Sequence, residues 1–371
     1  MVTDERSRVA AGAGELASWA KKQARNHDAA RQLSLETAAR ITTAGFAAHF
    51  VPVEWGGAAG TFSELVNAVA AIAEGCTSTG WCATLFAAHG RLAAYLPLLG
   101  RKSLWAQSPD VRIAAAIIPA AGEAAPVDDG WELSGRWTLA SGVDHADWVL
   151  LAAPTAGEHR IFAVPRENCT VLDSWHHVGL RGTGSNTVQV QGVYVPAAAT
   201  MTLEHLARPH SDPESARCHL VPYPMVAALI FAAPLLGAAR GALAEWTAVT
   251  AAKYRLDGVG QPSADVEVVL TRSSAEIEAA ALLLRSASER ADQGEVTTLT
   301  VGQNARDAAV AADLCLTATE RLFRSAGARS QGDDHDLQRY WRDVHAGAMH
   351  GALGMTAASA RYAAAAFGGQ A

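Results

Sequence analysis

The chain has 371 residues, 50% of them apolar and 18% charged, with a formal net charge of −7. That is the composition of a folded protein with a full-sized core, and the lack of a basic run excludes nucleic acid and an anionic membrane surface as obvious partners. Five scattered cysteines without a C-x-x-C argue against a disulfide framework or a structural zinc site.

The N-terminal MVTDERSRVA carries no apolar h-region, so a cytoplasmic protein is expected. From Val2 to Gln107 the pattern is helical. Ser34 before LETAAR marks one helix start, and VPVEWGGAAG is a Pro/Gly loop. Thr61–Glu74 and Ser78–Leu99 follow as helices. The second is apolar, with Trp81, Leu85 and Ala88 on one stripe and Ser78 as a candidate cap.

Near Ser108 the period changes. VRIAAAII, WELSGRWTLA, WVLLAA, RIFAVP and NTVQVQGVYVP are short, β-favouring runs divided by Gly, Pro and Asp. They predict a small barrel or sandwich over residues 108–204. From 205 to 371 the helical period returns as His219–Ala252, Ser263–Gln293, Val296–Ala326 and His335–Phe367, which predicts a four-helix bundle. Val221–Ala239 is the most apolar stretch, but Pro222, Pro224 and Pro234 interrupt it, and a buried helix is expected rather than a membrane span. The fold class is therefore α+β, with helical residues 1–107, a β unit and a bundle.

Three stretches hold candidate chemistry. WTLASGVDHADW, Trp137–Trp148, ends a strand on a Ser-Gly turn, where two Trp rings and the Ser141 hydroxyl suit a planar, hydrogen-bonding ligand. The bland alternative is a strand end with a solvated serine and core tryptophans. STGWCATLFAAH places Trp81 and His89 about two helical turns apart on a similar face, although a lone histidine on an apolar helix is more often a core residue. In HDLQRYWRDVHAGAMH, a continuous helix would put Asp343, Gly347 and His350 on one face, with Gly347, Gly351 and Gly354 as a side-chain-free strip for a neighbouring helix or a flat ligand. His345 and His350 are five apart and make a poor metal pair, so no metal site is expected. WHHVGLRGTGS offers Arg181 for an anion but is no Rossmann fingerprint. Arg255, Arg324 and Arg329 are further basic candidates.

With these residues in view, the chain resembles the acyl-CoA dehydrogenase superfamily along nearly its whole length. The resemblance rests on the helix–β–helix order, AAHFVPVEWGG, the W-x-x-x-S-G turn, GLRGTGS and the closing YWRD. STGW with a following His, WTLASG with a downstream D-H, and R-D-V-H-x-x-x-x-H are most similar to the two-component flavin-dependent monooxygenases. The dehydrogenases need a carboxylate base, commonly in a Tyr-Glu-Gly-Thr box after the R-D. Here VHAGAMHG stands there, Glu320 is the last glutamate, and ALIFAAPLLG at the other known position also lacks one.

The resemblance implies reduced FMN or FAD supplied by a separate NAD(P)H:flavin reductase, dioxygen as co-substrate, and oxygen transfer to an electron-rich small molecule through a C4a-hydroperoxide. It implies that Ser141 lies near flavin N5, that Trp81 and Trp137 line the flavin site, and that His350 is the base. His89 would face the same cavity. Arg181, Arg255 and Arg329 would be phosphate or cofactor contacts, and Asp343 would orient a histidine or brace its helix. A homotetramer is expected. The competing readings are an acyl-CoA dehydrogenase or oxidase, an amino-sugar N-oxygenase, and a non-catalytic scaffold paralogue.

Overall fold

Apolar runs with a 3.6-residue period flank runs with a two-residue period, and the fold follows that change. A computed structural model describes residues 7–208, 214–256 and 263–368, the side chains of 255 and 256 excepted. The N-terminal helices are α1 (Arg8–Ala30), α2 (Leu35–Thr43), α3 (Phe62–Gly75), α4 (Thr77–Ala93) and α5 (Leu98–Trp105). Ser34 caps α2 by accepting from Thr37 N–H. Thr61 and Glu64 form a reciprocal capping box on α3, and a cap of this kind contributes about 1 kcal/mol. Ser78 is not a cap. Helix α4 begins at Thr77 after Cys76 without a side-chain cap, and Ser78 is buried inside it.

Every residue of α4 is buried, not one stripe of it. It runs through the centre of the molecule and touches α3, the strand Ile113–Ala116, the helices Tyr223–Leu256 and Asp336–Ala348, and the GLRGTGS loop. A helix enclosed on all sides is apolar all round, which is why its pattern gives no clean stripe.

The strands are β1 (Ile113–Ala116), β2 (Glu123–Val127), β3 (Gly130–Ala140), β4 (Trp148–Thr155), β5 (Glu158–Pro165), β6 (Thr170–Leu172), β7 (Asn186–Pro196) and β8 (Thr200–Thr202). They form two four-stranded sheets, ordered β1-β4-β5-β8 and β2-β3-β7-β6, with β1 parallel to β4. The arrangement is a sandwich. Leu133, Trp137, Leu150, Phe162 and Val188 fill the space between the sheets.

The C-terminal part comprises α6 (Arg217–Leu220), α7 (Tyr223–Leu256), α8 (Ala264–Gln293), α9 (Thr298–Ala326), α10 (Asp336–Ala348) and α11 (Met355–Ala366). Helix α7 runs unbroken through Pro234. A proline there removes the bond to the carbonyl four residues back, that of Ile230, and the Thr84 hydroxyl donates to this carbonyl at 3.4 Å. The most apolar window of α7 is 83% buried, as befits a core helix.

The last predicted helix is broken. Helix α10 stops at Ala348, a 3-10 turn spans Gly351–Leu353, and α11 starts at Met355. His350 has extended backbone and caps the turn by accepting from Ala352 N–H. Asp343, Gly347 and His350 therefore do not share one helical face. Of the three glycines only Gly347 is crowded: a Cβ there would lie 2.6 Å from Leu235 Cδ2 and 3.2 Å from the Trp81 ring. Gly351 and Gly354 belong to the break.

Candidate active site

Ser141 sits where β3 leaves its sheet. Trp137 faces Val188 and, after an irregularity, Ala140 faces Asn186, so β3 carries one extra residue. Leu139 in this bulge has a left-handed φ of 65°. A bulge re-aims the side chains that follow it, here that of Ser141. Gly142 then takes φ 72°, and its N–H donates to Thr183 O at 2.8 Å. A Cβ at this position would meet the Phe86 ring at 3.0 Å, so both the turn and the close approach require glycine.

The Ser141 hydroxyl is the end of a chain. Trp81 Nε1–H donates to Ser141 Oγ at 3.2 Å. Ser141 Oγ lies 2.7 Å from Ser185 Oγ, and Ser185 Oγ 2.6 Å from Thr183 Oγ1. Thr183 Oγ1 donates to Leu180 O at 2.8 Å. The peptide of Leu180 is held at its other end too, since its N–H donates to buried Asp343 Oδ1 at 2.6 Å. Asp343 thus braces the GLRGTGS loop against α10, in place of orienting a histidine. Burial pushes its carboxyl pKa upward.

On the other side of Trp81 stands His350. Its ring stacks on Phe231 of α7 at 3.5 Å and 22°, and meets the Trp81 ring edge-on at 6.0 Å. It keeps solvent-accessible surface, while the protein packed around its other sides lowers its pKa to about 4 by desolvation. Because Nδ1 accepts from Ala352 N–H at 3.2 Å, the neutral ring carries its proton on Nε2.

His89 lies eight residues beyond Trp81, ~12 Å along the helix axis at 1.5 Å per residue. Its Nδ1 donates to Ile113 O at 2.8 Å, which leaves a lone pair on Nε2. The residue is buried, and desolvation outweighs the carbonyl contact to lower its pKa to about 4. No hydrogen bond among the described residues joins it to Ser141 or His350.

The structure thus gathers Trp81, Ser141 and His350 in one constellation with Phe231, and sets His89 further along the same helix. Trp137 is elsewhere. It is 1% exposed in the sandwich core, with its indole N–H on Ala152 O at 2.8 Å, so it supports the strand. His145 is held by Leu33 O at 2.8 Å, and His345 by Trp341 O at 2.7 Å and Glu320 at 3.4 Å. Arg181 stands in the GLRGTGS loop, its Nε buried without a partner among the described residues, and so has capacity for a ligand. Arg329 is exposed on a 3-10 turn and Arg324 pairs with Glu320 at 3.2 Å. The side chain of Arg255 lies outside the described residues. Among the described residues no group of three His, Cys, Asp or Glu side chains is placed to hold a metal.

Three participants escape the motif reading. Phe231 lies inside an apolar run where no residue stands out. Thr183 and Ser185 lie in GLRGTGS, where the glycines and Arg181 draw attention first. Their signal is a pair of hydroxyls alternating with glycine before a strand.

The family described as acyl-CoA dehydrogenase, C-terminal domain, matches residues 229–354. The chain is 30% identical over 352 residues to the flavin-dependent monooxygenase, oxygenase subunit HsaA, of Rhodococcus jostii strain RHA1, covering 90% of this chain and 91% of that protein. It is 27% identical to the FADH(2)-dependent resorcinol hydroxylase, oxygenase component, of a Rhizobium species, covering 90% and 88%. The crystal structure of 3-HSA hydroxylase from Rhodococcus sp. RHA1 superposes with a TM-score of 0.91 at 26% identity, covering 99% of this chain and 98% of that one.

Proposed function

Because this chain belongs to the flavin-dependent monooxygenases, as an oxygenase subunit with the acyl-CoA dehydrogenase fold, we propose that it hydroxylates an electron-rich, phenol-like aromatic compound. A separate reductase delivers its reduced flavin, and it assembles as a homotetramer. The relatives named for resorcinol and for p-hydroxyphenylacetate support the substrate class. The isoalloxazine ring, common to FMN and FAD, is the part these residues would meet. When bound, the reduced flavin supplies two electrons to dioxygen, so that one oxygen atom enters the product and the other leaves as water.

The observation that carries the reading is a pair of neutral histidines with complementary free groups. His89 offers a bare Nε2 and His350 offers Nε2–H. A phenolic hydroxyl donating to His89 gains electron density on its ring, as oxygen transfer to carbon requires. His350 supplies a donor to an oxygen atom bearing negative charge. This reverses the expectation that His350 is the base, since its lone pair is spent on a backbone N–H. Ser141 and Trp81 hold the flavin edge, Arg181 is available for a polar atom of the same ligand, and Phe231 fixes the His350 ring. The base of an acyl-thioester dehydrogenase has no counterpart here: Glu320 is engaged by Trp341 Nε1–H at 2.6 Å and by His345.

The test mixes the protein with reduced flavin, labelled dioxygen and a panel of phenols, and in separate runs with oxidised flavin and acyl thioesters. The expected result is a hydroxylated phenol with one oxygen atom from dioxygen. Desaturation of an acyl thioester, with no labelled phenol product, would overturn the proposal.

A further inference from the structure

The hydrogen bonds around Ser141 have only one consistent set of directions. A carbonyl oxygen can only accept, so across 2.8 Å Thr183 points its proton at Leu180 O, the shortest of three contacts there beside Trp175 Nε1–H at 2.9 Å and Thr183 N–H at 3.1 Å. Thr183 then has no proton for Ser185, and at 2.6 Å Ser185 must donate to it. Ser185 has in turn no proton for Ser141, and at 2.7 Å Ser141 must donate to Ser185. An indole N–H can only donate, so Trp81 uses one lone pair of Ser141 Oγ. What remains at Ser141 is one lone pair and no proton. All four side chains are buried, so water does not compete freely to reverse the order, and chained hydroxyls reinforce one another's polarity.

We propose that Thr183 and Ser185 are positioning residues that make Ser141 an acceptor-only group, and that this makes the site selective for the reduced state of its flavin. The inference rests on the reading above that the flavin N5 edge meets Ser141. Reduced flavin carries a hydrogen on N5 and donates. Oxidised flavin has a bare lone pair there and can only accept, so it faces an acceptor with an acceptor. The same order explains a division of labour in which oxidised flavin leaves for the reductase and reduced flavin is retained.

The test measures dissociation constants for reduced flavin under anaerobic conditions and for oxidised flavin in air, in the whole protein. Wild type should bind reduced flavin more tightly. Ser185→Ala frees the Ser141 proton for oxidised N5, and the ratio of the two constants should fall about tenfold. Thr183→Val should do the same by releasing Ser185, while Thr183→Ser, which keeps the hydroxyl, should retain the wild-type ratio. Ser141→Ala separates the two levels of the argument. If it leaves both constants unchanged, N5 does not meet Ser141 and the underlying reading fails. If it shifts the ratio but Ser185→Ala and Thr183→Val do not, the relay is refuted and the reading survives. Should Ser185→Ala not fold, the Thr183→Val and Thr183→Ser pair decides, because valine is nearly isosteric with threonine.

Discussion

His89 and His350 carry their protons on opposite ring nitrogens. Ile113 O takes the Nδ1 proton of His89, and Ala352 N–H takes the Nδ1 lone pair of His350. Backbone groups cannot exchange donor for acceptor, so each tautomer is set by the fold. Burial of His89, and desolvation of His350 by the protein packed on its covered sides, lower both pKa values to about 4, and at neutral pH one ring is an uncharged acceptor and the other an uncharged donor.

Hydroxylation should therefore show no ionisation of these histidines near pH 6.5, where a free imidazole titrates. Their acid limb should fall near pH 4, and a pH profile of product formed per flavin oxidised checks this. His89→Phe should lower that yield about 10- to 100-fold, with the oxygen appearing as hydrogen peroxide. His350→Gln keeps an N–H donor and should retain more activity than His350→Ala. Equal losses in the two variants would remove the donor role.

Acid sensitivity follows from the same chemistry elsewhere in the core. His27 and His89 have pKa values lowered to about 4, and His49 and His145 are lowered as well, each with desolvation as the largest cause. In the unfolded chain these rings titrate near 6.5, so there they bind protons that the folded state refuses. Stability is then full above pH ~6.5 and is lost as pH falls toward ~4, by up to ~1.4 kcal/mol per ring and pH unit. The urea midpoint should drop clearly between pH 7.5 and pH 5, and His27→Gln should flatten the dependence. An unchanged midpoint in the wild type would contradict this account.

Much of the fold is legible in the sequence, and most of the exceptions share a cause. Ser34 announces its helix because a cap is local chemistry, whereas Ser78 lies inside α4 and caps nothing, and the β runs announce a small barrel or sandwich because alternation is local too. The break at Met349–Gly354 was not legible. Its glycines are equally compatible with a helix packed closely on a neighbour, and only tertiary contacts of Gly347 with Leu235 and Trp81 decide which. Pro234 misleads in the opposite direction, since a hydroxyl from α4 partly compensates its missing hydrogen bond. For the site, Ser141 and His350 were found through motifs. Phe231 and Ser185 acquire meaning only from partners distant in sequence, His350 and Ser141, and Thr183 acquires its meaning through Ser185.

Asp343 should matter through Leu180, not through a histidine. It is 2% exposed and accepts the Leu180 N–H at 2.6 Å, and Leu180 itself has a left-handed φ of 51°. Asp343→Ala would leave that N–H buried without a partner, at a cost of about 1–3 kcal/mol. It should also loosen the loop that carries Thr183 and Ser185, with weaker binding of reduced flavin. Asp343→Asn keeps an acceptor oxygen and sheds a charge that burial already disfavours, so its melting temperature should stay near wild type. If Asp343→Asn lost as much stability as Asp343→Ala, the charge itself, in the field of Arg339 one helical turn away, would be the essential property.

The two tryptophans with a proposed place at the flavin should separate cleanly when each is replaced by phenylalanine. Trp137 belongs to the sandwich: its indole N–H is on Ala152 O, and Gly122 and Gly135 pack against its ring. Trp137→Phe removes one of two donors to Ala152 O, which keeps Ala121 N–H at 2.9 Å, and opens space among close-packed neighbours, which should cost about 1–3 kcal/mol. Reduced-flavin affinity of the folded fraction should stay unchanged. Trp81 touches Ser141 through its N–H and His350 through its ring. Trp81→Phe keeps most of the packing but returns a lone pair to Ser141, so its main effect should be on flavin affinity and on the yield of hydroxylated product, with a smaller fall in melting temperature. Thermal melts and anaerobic flavin titrations on both variants provide the comparison. The assignment fails if Trp137→Phe weakens flavin binding as much as Trp81→Phe does.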